Sequence, residues 1–251
     1  MKNLPLLLTS CIEPRYTNGV VRNDPNIRLN DYAHSLKSWI KKGGWNKIVF
    51  ADNSGWTENH IRSELSSRIG NSILDSCEFE ILCCDDTPRP ELHYGYSELG
   101  IFDQAVAKSY LLQHSSHFMK ATGRLYFPKA DLLRDQLDET ILFWVDARSH
   151  ILFWSTNQIT TQLMIFSTEF YRNNLYDIRK RMSPDLPFIE PFLFNILLPW
   201  NRKSGCRFRW PVNIDPEGVA AHSGINYSSG RRRFHSNLRA ISRQMFPGIW
   251  F

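Results

Sequence analysis

The sequence predicts an α/β sandwich of three layers around a mainly parallel central sheet. Two observations predict it. Short, continuous apolar runs alternate with segments of helical spacing through the first half of the chain, the pattern of strand–helix–strand units joined by right-handed crossovers. The runs ending at Leu8, Ala51, Phe118 and Val145 are followed by small polar or charged residues, and open α/β sheets bind ligands at the carboxyl ends of their strands. The 251 residues, 42% hydrophobic and 13% aromatic, suffice for one packed domain with an extension and argue against disorder.

Residues 4–12 are apolar without alternation until Thr9 and Ser10, as a strand buried on both faces requires. A polar loop with Pro14, Gly19 and Pro25 follows. Residues 29–40 place Tyr32, Leu36, Trp39 and Ile40 at helical spacing, with Asn30 or Asp31 as N-cap and Gly43-Gly44 closing the helix. Residues 47–51 form a second strand, stopped by Asp52-Asn53-Ser54-Gly55. A helix over 58–69, a strand over 78–83 and a loop over 85–90 come next. Residues 92–113 join Gly95-Tyr96-Ser97-Glu98 to a helix with Ile101, Phe102, Ala105, Val106 and Leu112 on its apolar face. Strands are expected over 120–127, 141–145 and 162–167, and helices over 168–181 and 188–198, the last with Pro191 in the tolerated first turn. Neither an internal repeat nor a low-complexity linker is present.

The most informative segment is 117–128, where Lys120, Thr122, Gly123 and Arg124 sit between apolar runs. A buried strand carries cations only when an anion meets them. Gly123 permits close backbone approach to a ligand, and Lys120 and Arg124 can reach phosphate oxygens, Arg as a planar fork and Lys as a point charge. The same residues also fit a strand end whose cations point into solvent. Asp52, Asn53 and Ser54 can hydrogen-bond a nucleobase and ribose, or form an ordinary Asx turn; Thr9, Ser10 and Glu13 share that ambiguity. The amides around Gly95 can face an anion at a helix start, where Glu98 alternatively complements the dipole. Asp146 and Arg148 are a site pair or a local salt bridge. Burial would raise the pKa of Glu190, at a helix start among apolar neighbours, toward the range of a general base; the same position suits a capping acid. Tyr94, Tyr96 and Tyr126 can stack on sugars. No GxGxxG occurs and no GKS or GKT follows Gly95, so nicotinamide and P-loop sites are not indicated.

Charge is uneven. Residues 202–251 hold nine Lys or Arg against Asp215 and Glu217, a net +7; the whole chain is +5, so residues 1–201 carry −2. The basic loop with His222, Arg231 and Arg232 can fold over phosphates or touch an anionic membrane. Residues 231–251, mixing Arg with Phe, Leu, Ile and Trp, suit an interfacial helix or a C-terminal helix packed on the core. Nucleic acid is not an expected partner, since no recognised module accompanies the basic cluster. Five cysteines without a CxxC pair or a histidine at ligand spacing indicate reduced thiols in a cytoplasmic protein, with neither a disulfide framework nor a zinc site. Leu4 to Leu8 is too short for a signal-peptide core, and no apolar run approaches the roughly 20 residues needed to span a bilayer.

The order of these pieces resembles that of GT-A nucleotide-sugar glycosyltransferases. It looks most like the small bacterial enzymes of surface-polysaccharide assembly (O-antigen or capsule) that carry a lysine–threonine–glycine–arginine segment. The matching pieces are residues 6–10, residues 48–55, Gly95 to Glu98 with its helix, residues 120–126 where the fold usually carries a metal-binding Asp-x-Asp, and Glu190 where inverting members keep an acidic base. The resemblance spans residues 4–200, implying a GT-A-like catalytic domain over 1–200 and a basic, aromatic-rich extension over 201–251 that packs on it or contacts membrane. It implies transfer of a sugar from a nucleotide-sugar donor to a hydroxyl of a glycan or lipid-linked glycan, with inversion, in the cytoplasm or at the inner face of its membrane. On this reading Thr9, Asp52 and Asn53 contact the nucleoside, Lys120, Thr122 and Arg124 the diphosphate and sugar, and Glu98 the sugar hydroxyls, with Glu13, Gly95, Gly123 and Arg148 as further donor-binding residues. Glu190 is the general base and Asp146 a second catalytic candidate.

The chain departs from the family in having no Asp-x-Asp. Lys120, Arg124 and Arg148 are therefore expected to neutralise the diphosphate with no cofactor, and Asp146 with another carboxylate is the remaining place for a divalent cation. A reading from another class is a non-catalytic protein that docks on anionic membrane or polymer through its basic C-terminal region; it expects Lys120 and Arg124 to matter only for folding. A third is a different phosphate-handling transferase on a similar sheet, because fold does not fix chemistry.

Overall fold

The computed structural model describes residues 3–15, 21–86, 89, 91–148, 157–220, 224, 226–227 and 230–245, with residues 230–235 and 244 described by backbone alone. The first half of the chain runs β1 (Leu6–Ser10), α1 (Pro25–Lys41), β2 (Lys47–Asp52), α2 (Glu58–Ile69), α3 (Asn71–Leu74), β3 (Glu78–Cys83), α4 (Gly95–Lys108), α5 (Tyr110–Gln113) and β4 (His117–Thr122). The second half continues with α6 (Ala130–Asp135), β5 (Phe143–Trp144), β6 (Ala147–Arg148), β7 (Gln158–Ile159), β8 (Leu163–Ser167), α7 (Thr168–Asn174), α8 (Ile189–Leu197), β9 (Cys206–Arg207) and α9 (Gly230–Met245).

Seven strands form one sheet in the order β3-β2-β1-β4-β8-β5-β9, and β6 pairs antiparallel with β7. β1 lies parallel to β2 and β4, β2 to β3, and β5 to β9, whereas β8 runs antiparallel to β4 and β5. The chain builds outward from β1 through β2 and β3, then returns to the other side of β1 as β4. That reversal leaves a crevice at the carboxyl ends of β1 and β4, the place where doubly wound sheets take ligands.

Helices cover both faces of the sheet, which is why its central strands read as unbroken apolar runs. Leu6, Leu8, Ile48, Phe50 and Met119 pack with Leu29, Leu36 and Trp39 of α1 and Ile61 and Leu65 of α2. Leu7, Val49, Phe118 and Phe166 face the opposite layer, with Leu99, Phe102 and Val106 of α4, Phe170 of α7 and Leu193 of α8. The C-terminal residues join this body. β9 extends the sheet, and Tyr126 bridges Glu217. Among the described residues no helix is long and apolar enough to cross a membrane.

Several elements differ from their sequence patterns. The strand expected over 120–127 stops at Thr122, because the Gly123 amide donates to the Thr9 carbonyl (2.9 Å) and the chain turns there. The helix expected over 92–113 breaks at Ser109, whose extended backbone and hydroxyl cap a separate short helix, α5. The helix expected over 168–181 ends at Asn174; Asp177 at φ 60° then leads into a single 3-10 turn. α1 starts earlier than its apolar spacing suggests, capped by Asp24 with Pro25 at its first position. Asp31, a candidate cap, instead pairs with Arg22. Of the apolar run 141–145, two residues pair as β5.

Candidate functional site

A cleft of about 440 Å³ opens at the β1–β4 switch point. Thr9, Asn53, Glu98, Thr122, Arg124 and Glu190 border it. The candidate residues thus converge only in part.

On the β1–β2 side, Asp52 is buried and accepts from the Ser10 hydroxyl (2.8 Å) and the amides of Ile12 (3.0 Å) and Ser54 (2.8 Å). It ties two loops together and does not border the cleft. Its neighbour Asn53 does border it, is 3% exposed, and has a buried Oδ1 with no hydrogen-bond partner among the described residues. Leaving such an atom unpaired costs about 1–3 kcal/mol, so this amide is available to a ligand. Glu13 points elsewhere, accepting from the Trp56 indole at 2.9 Å. Arg28 and Tyr32, four residues apart on α1, hold the Cys11 carbonyl at 2.7 and 3.3 Å and so fix the loop after β1. Burial first, then Asp52, pushes the Cys11 thiol up to about 12, which removes it as a nucleophile.

On the β4 side, Lys120 does not reach the cleft. Its ammonium is wholly buried, 2.6 Å from Glu98 Oε1, 2.6 Å from the Thr161 carbonyl and 3.4 Å from the Thr122 hydroxyl, with the Phe102 ring 5.0 Å away. Those contacts engage its three donors. The Thr9 hydroxyl donates to the same Glu98 oxygen at 3.1 Å. Glu98 is therefore fixed through Oε1, while Oε2 has no hydrogen-bond partner among the described residues. Gly123 is required by space: a Cβ there would lie 2.7 Å from the Thr9 carbonyl oxygen and 3.1 Å from the Tyr32 ring. Arg124 follows. Its Nη1 donates to the Val219 carbonyl (3.2 Å), while its buried Nε has no hydrogen-bond partner among the described residues. The Trp39 indole holds the adjacent Leu125 carbonyl at 2.9 Å.

The third wall comes from the starts of α4 and α8. A Cβ on Gly95 would lie 2.5 Å from Ile189 Cβ; the missing side chain lets the two helix starts touch, which brings Glu98 and Glu190 to one cleft. Gly95 thus acts through packing. Glu190 is half-buried and, among the described residues, makes no hydrogen bond to another residue's side chain. Burial pushes its pKa above the ordinary carboxylate range; Glu98 pushes the same way, while its own amide and Lys120 oppose. Burial, Glu190 and Glu98 likewise raise the Tyr94 phenol, keeping it protonated.

Asp146 and Arg148 lie outside the cleft. Asp146 is wholly buried, with Arg148 Nε at 2.9 Å from Oδ2 and Arg243 of α9 at 2.7 Å from Oδ1. The pair is a salt bridge that anchors the C-terminal helix. With both oxygens held by guanidiniums, Asp146 does not fit a divalent cation, and among the described residues no group of three or more His, Cys, Asp or Glu is placed to bind one. His222 lies outside the described residues, and Arg231 and Arg232 lie in α9 where only the backbone is described.

The cleft also includes residues that sequence reasoning missed: Arg28, His93, Phe188, Val219 and Tyr227. Arg28 left a signal, an arginine within the apolar stripe of α1. Phe188 left another, an aromatic just ahead of the helix that carries Glu190. Val219 and Tyr227 left none, because their place depends on how the C-terminal segment returns to β4. Of the three tyrosines considered for stacking, Tyr94 borders the cleft, whereas Tyr126 is buried against Trp39 and Tyr96 lies outside the cleft with the Arg179 guanidinium 5.1 Å from its ring.

No family model matches the chain, and no curated protein matches it. Among solved structures, it is similar to the inositol-1-phosphate CTP transferase from T. maritima, at 11% identity and a TM-score of 0.51 over 98% of each chain. It is also similar to an active-site mutant of LgtC, at 8% identity and a TM-score of 0.50 over 82% of this chain and 72% of that one. At these identities the likeness establishes the fold: a GT-A-like α/β sandwich with a mostly parallel seven-stranded sheet.

Proposed function

We propose that the chain is a transferase that moves a sugar from a nucleotide-sugar donor to a hydroxyl of a glycan or lipid-linked glycan, with inversion. The observation that carries this reading is the Glu190 carboxylate, free of side-chain hydrogen-bond partners among the described residues, raised in pKa, and set in the same switch-point cleft as Asn53, Glu98 and Arg124. The fold likeness to a protein named for CTP transfer supports a nucleotide ligand.

In this reading Asn53 meets the nucleobase through its side-chain amide, and Thr9 lies beside it. Arg124, with Thr122, meets the diphosphate as a charge-assisted donor. Glu98 accepts a donor-sugar hydroxyl on Oε2, while Lys120 holds that carboxylate instead of touching phosphate. The acceptor oxygen attacks the anomeric carbon and gives its proton to Glu190. The bond between the anomeric carbon and the diphosphate oxygen breaks, and the nucleoside diphosphate leaves with its charge against Arg124. A positioned base of this kind contributes about 10²–10⁴ in rate. No step passes through a metal. Surface-polysaccharide assembly and a place at the inner face of the cytoplasmic membrane belong to the same reading, supported by the lysine–threonine–glycine–arginine segment and the basic C-terminal fifth.

Thermal stabilisation by a panel of UDP-, GDP-, CMP- and dTDP-sugars, each with EDTA or manganese, tests it. A donor at about 100 times its dissociation constant adds about 2.7 kcal/mol. A shift with one nucleotide that survives EDTA is the expected result. A shift only with manganese would require a metal in the diphosphate site. Stabilisation by a nucleoside triphosphate with pyrophosphate release would mark nucleotidyl transfer instead. No shift with any nucleotide would sink the donor assignment and favour docking on anionic surfaces.

A further inference from the structure

Tyr94 and Phe188 border the cleft while remaining 45% and 50% exposed. His93 joins them, its ring centroid 3.7 Å from that of Tyr94 and 4.8 Å from that of Phe188. Three rings therefore form one continuous surface, and part of its area is left in water, where apolar surface is least stable. The arrangement is built rather than incidental. The His93 amide donates to the Pro187 carbonyl at 3.3 Å, and side-chain-free Gly95 seats against Ile189, so both ring-bearing segments are locked together.

The location of these rings separates them from the nucleoside. Phe188 precedes Glu190 by two residues, and the Tyr94 phenol feels the charges of both Glu190 and Glu98. Asn53, the proposed nucleobase contact, borders the cleft from a different element, just past the end of β2. The ring surface thus flanks the carboxylates. Tilted rings, with planes 44° and 51° apart, beside carboxylates that accept hydrogen bonds from hydroxyls match a pyranose, which has apolar C–H faces and a rim of hydroxyls. An acyl chain would gain nothing from the two acids.

We propose that His93, Tyr94 and Phe188 form an acceptor subsite that stacks the terminal pyranose of a glycan, with its attacking hydroxyl at Glu190. This rests on Glu190 being the base. The acceptor group is then a sugar ring, not a peptide hydroxyl or a simple lipid alcohol.

Saturation-transfer NMR on the full chain tests it, with methyl β-galactoside and methyl β-glucoside as probes and glycerol as the acyclic polyol. The ring C–H protons of at least one glycoside receive saturation from the wild type, and glycerol does not. Phe188→Ala weakens that transfer about three- to tenfold, Phe188→Trp restores it, and neither variant alters the thermal shift given by nucleotides. Absence of transfer to both glycosides, or equal transfer in Phe188→Ala and wild type, overturns the subsite. Absence of nucleotide stabilisation in the wild type overturns the donor reading alone, because the glycoside result is read without nucleotide.

Discussion

Lys120 Nζ lies 2.6 Å from Glu98 Oε1, and the lysine side chain has no exposed surface. A cation that the sequence offers to a phosphate is instead committed to a carboxylate. The pair links the middle of the sheet to the cleft wall, since β4 carries the lysine and the first turn of α4 carries the glutamate. Thr9 on β1 completes the link by donating to the same oxygen. Three neighbouring elements thereby fix the orientation of one acid.

Breaking this pair leaves a charge without its partner where the sheet interior meets the cleft. Lys120→Met is expected to lower stability by about 3–5 kcal/mol, the usual cost of removing one member of a buried ion pair. Glu98→Gln strands the lysine in turn. The double variant should be less destabilised than the sum of the singles, because neither lone charge remains. Urea unfolding of all four proteins measures the coupling, and strict additivity would show that the contact contributes nothing.

Glu190→Gln should reduce transfer by about 10²–10⁴ while stabilisation by the nucleotide donor stays unchanged. The raised pKa of Glu190 also fixes the direction of the pH profile. The base works only as carboxylate, so kcat/KM falls on the acid side, with its midpoint above the ordinary carboxylate range. Near-normal turnover of the variant, or an unshifted acid limb, would remove Glu190 from the chemistry.

Gly123 is held between the Thr9 carbonyl and the Tyr32 ring. The Thr9 oxygen is backbone in a central strand and cannot swing aside. Gly123→Ala should therefore cost about 1–3 kcal/mol as an overpacking change and displace Arg124 next to it. A lower urea midpoint together with weaker nucleotide stabilisation is the expected pair of results. An alanine variant with wild-type stability would mean the loop has room that the geometry denies.

Asp103 gives a pH test away from the cleft. Burial lifts its pKa to about 6 from the ordinary 3.8, against the Tyr171 hydroxyl bond, an amide at Asp177 and Arg179 3.8 Å away. A carboxyl whose folded pKa is raised stabilises the fold fully below about pH 3.8, and that contribution is lost as pH rises through about 6. The amount at stake is about 3 kcal/mol. Asp103→Asn cannot titrate, so its unfolding midpoint should fall less than that of the wild type between about pH 4 and pH 7. Equal slopes would place the Asp103 pKa near its ordinary value.

Much of the fold was legible because two-sided burial writes itself into a strand as an unbroken apolar run, as in Leu6 to Leu8 and Phe118 to Met119. What periodicity hides is where a pattern stops. Nothing local marks the strand end at Thr122; it follows from a hydrogen bond to Thr9, more than a hundred residues earlier. The site was legible to the same degree. Asn53, Glu98, Arg124 and Glu190 meet because each lies at a strand end or helix start, positions that the sequence marks. Lys120 and Asp146 were indistinguishable from them by residue type, and only the packing shows that each has its charge satisfied inside the protein.

With Lys120 committed to Glu98, the proposed mechanism gives the diphosphate role to Arg124, whose Nε is buried without a hydrogen-bond partner among the described residues while Nη1 is anchored on the Val219 carbonyl. An anchored guanidinium with an unused donor loses little freedom on meeting phosphate. Arg124→Met removes the charge and keeps much of the apolar stem. It should weaken a nucleoside diphosphate by about 1.5–3 kcal/mol, on the order of 10- to 100-fold in dissociation constant, and leave the corresponding nucleoside unaffected, since the proposed mechanism places that portion against Asn53. Arg124→Lys should recover only part of the loss, because a lysine replaces the planar fork with a point charge. Titration calorimetry with nucleoside, monophosphate and diphosphate on the three proteins separates these contributions. Equal weakening of nucleoside and diphosphate would mean that Arg124 shapes the cleft through Val219 and makes no phosphate contact.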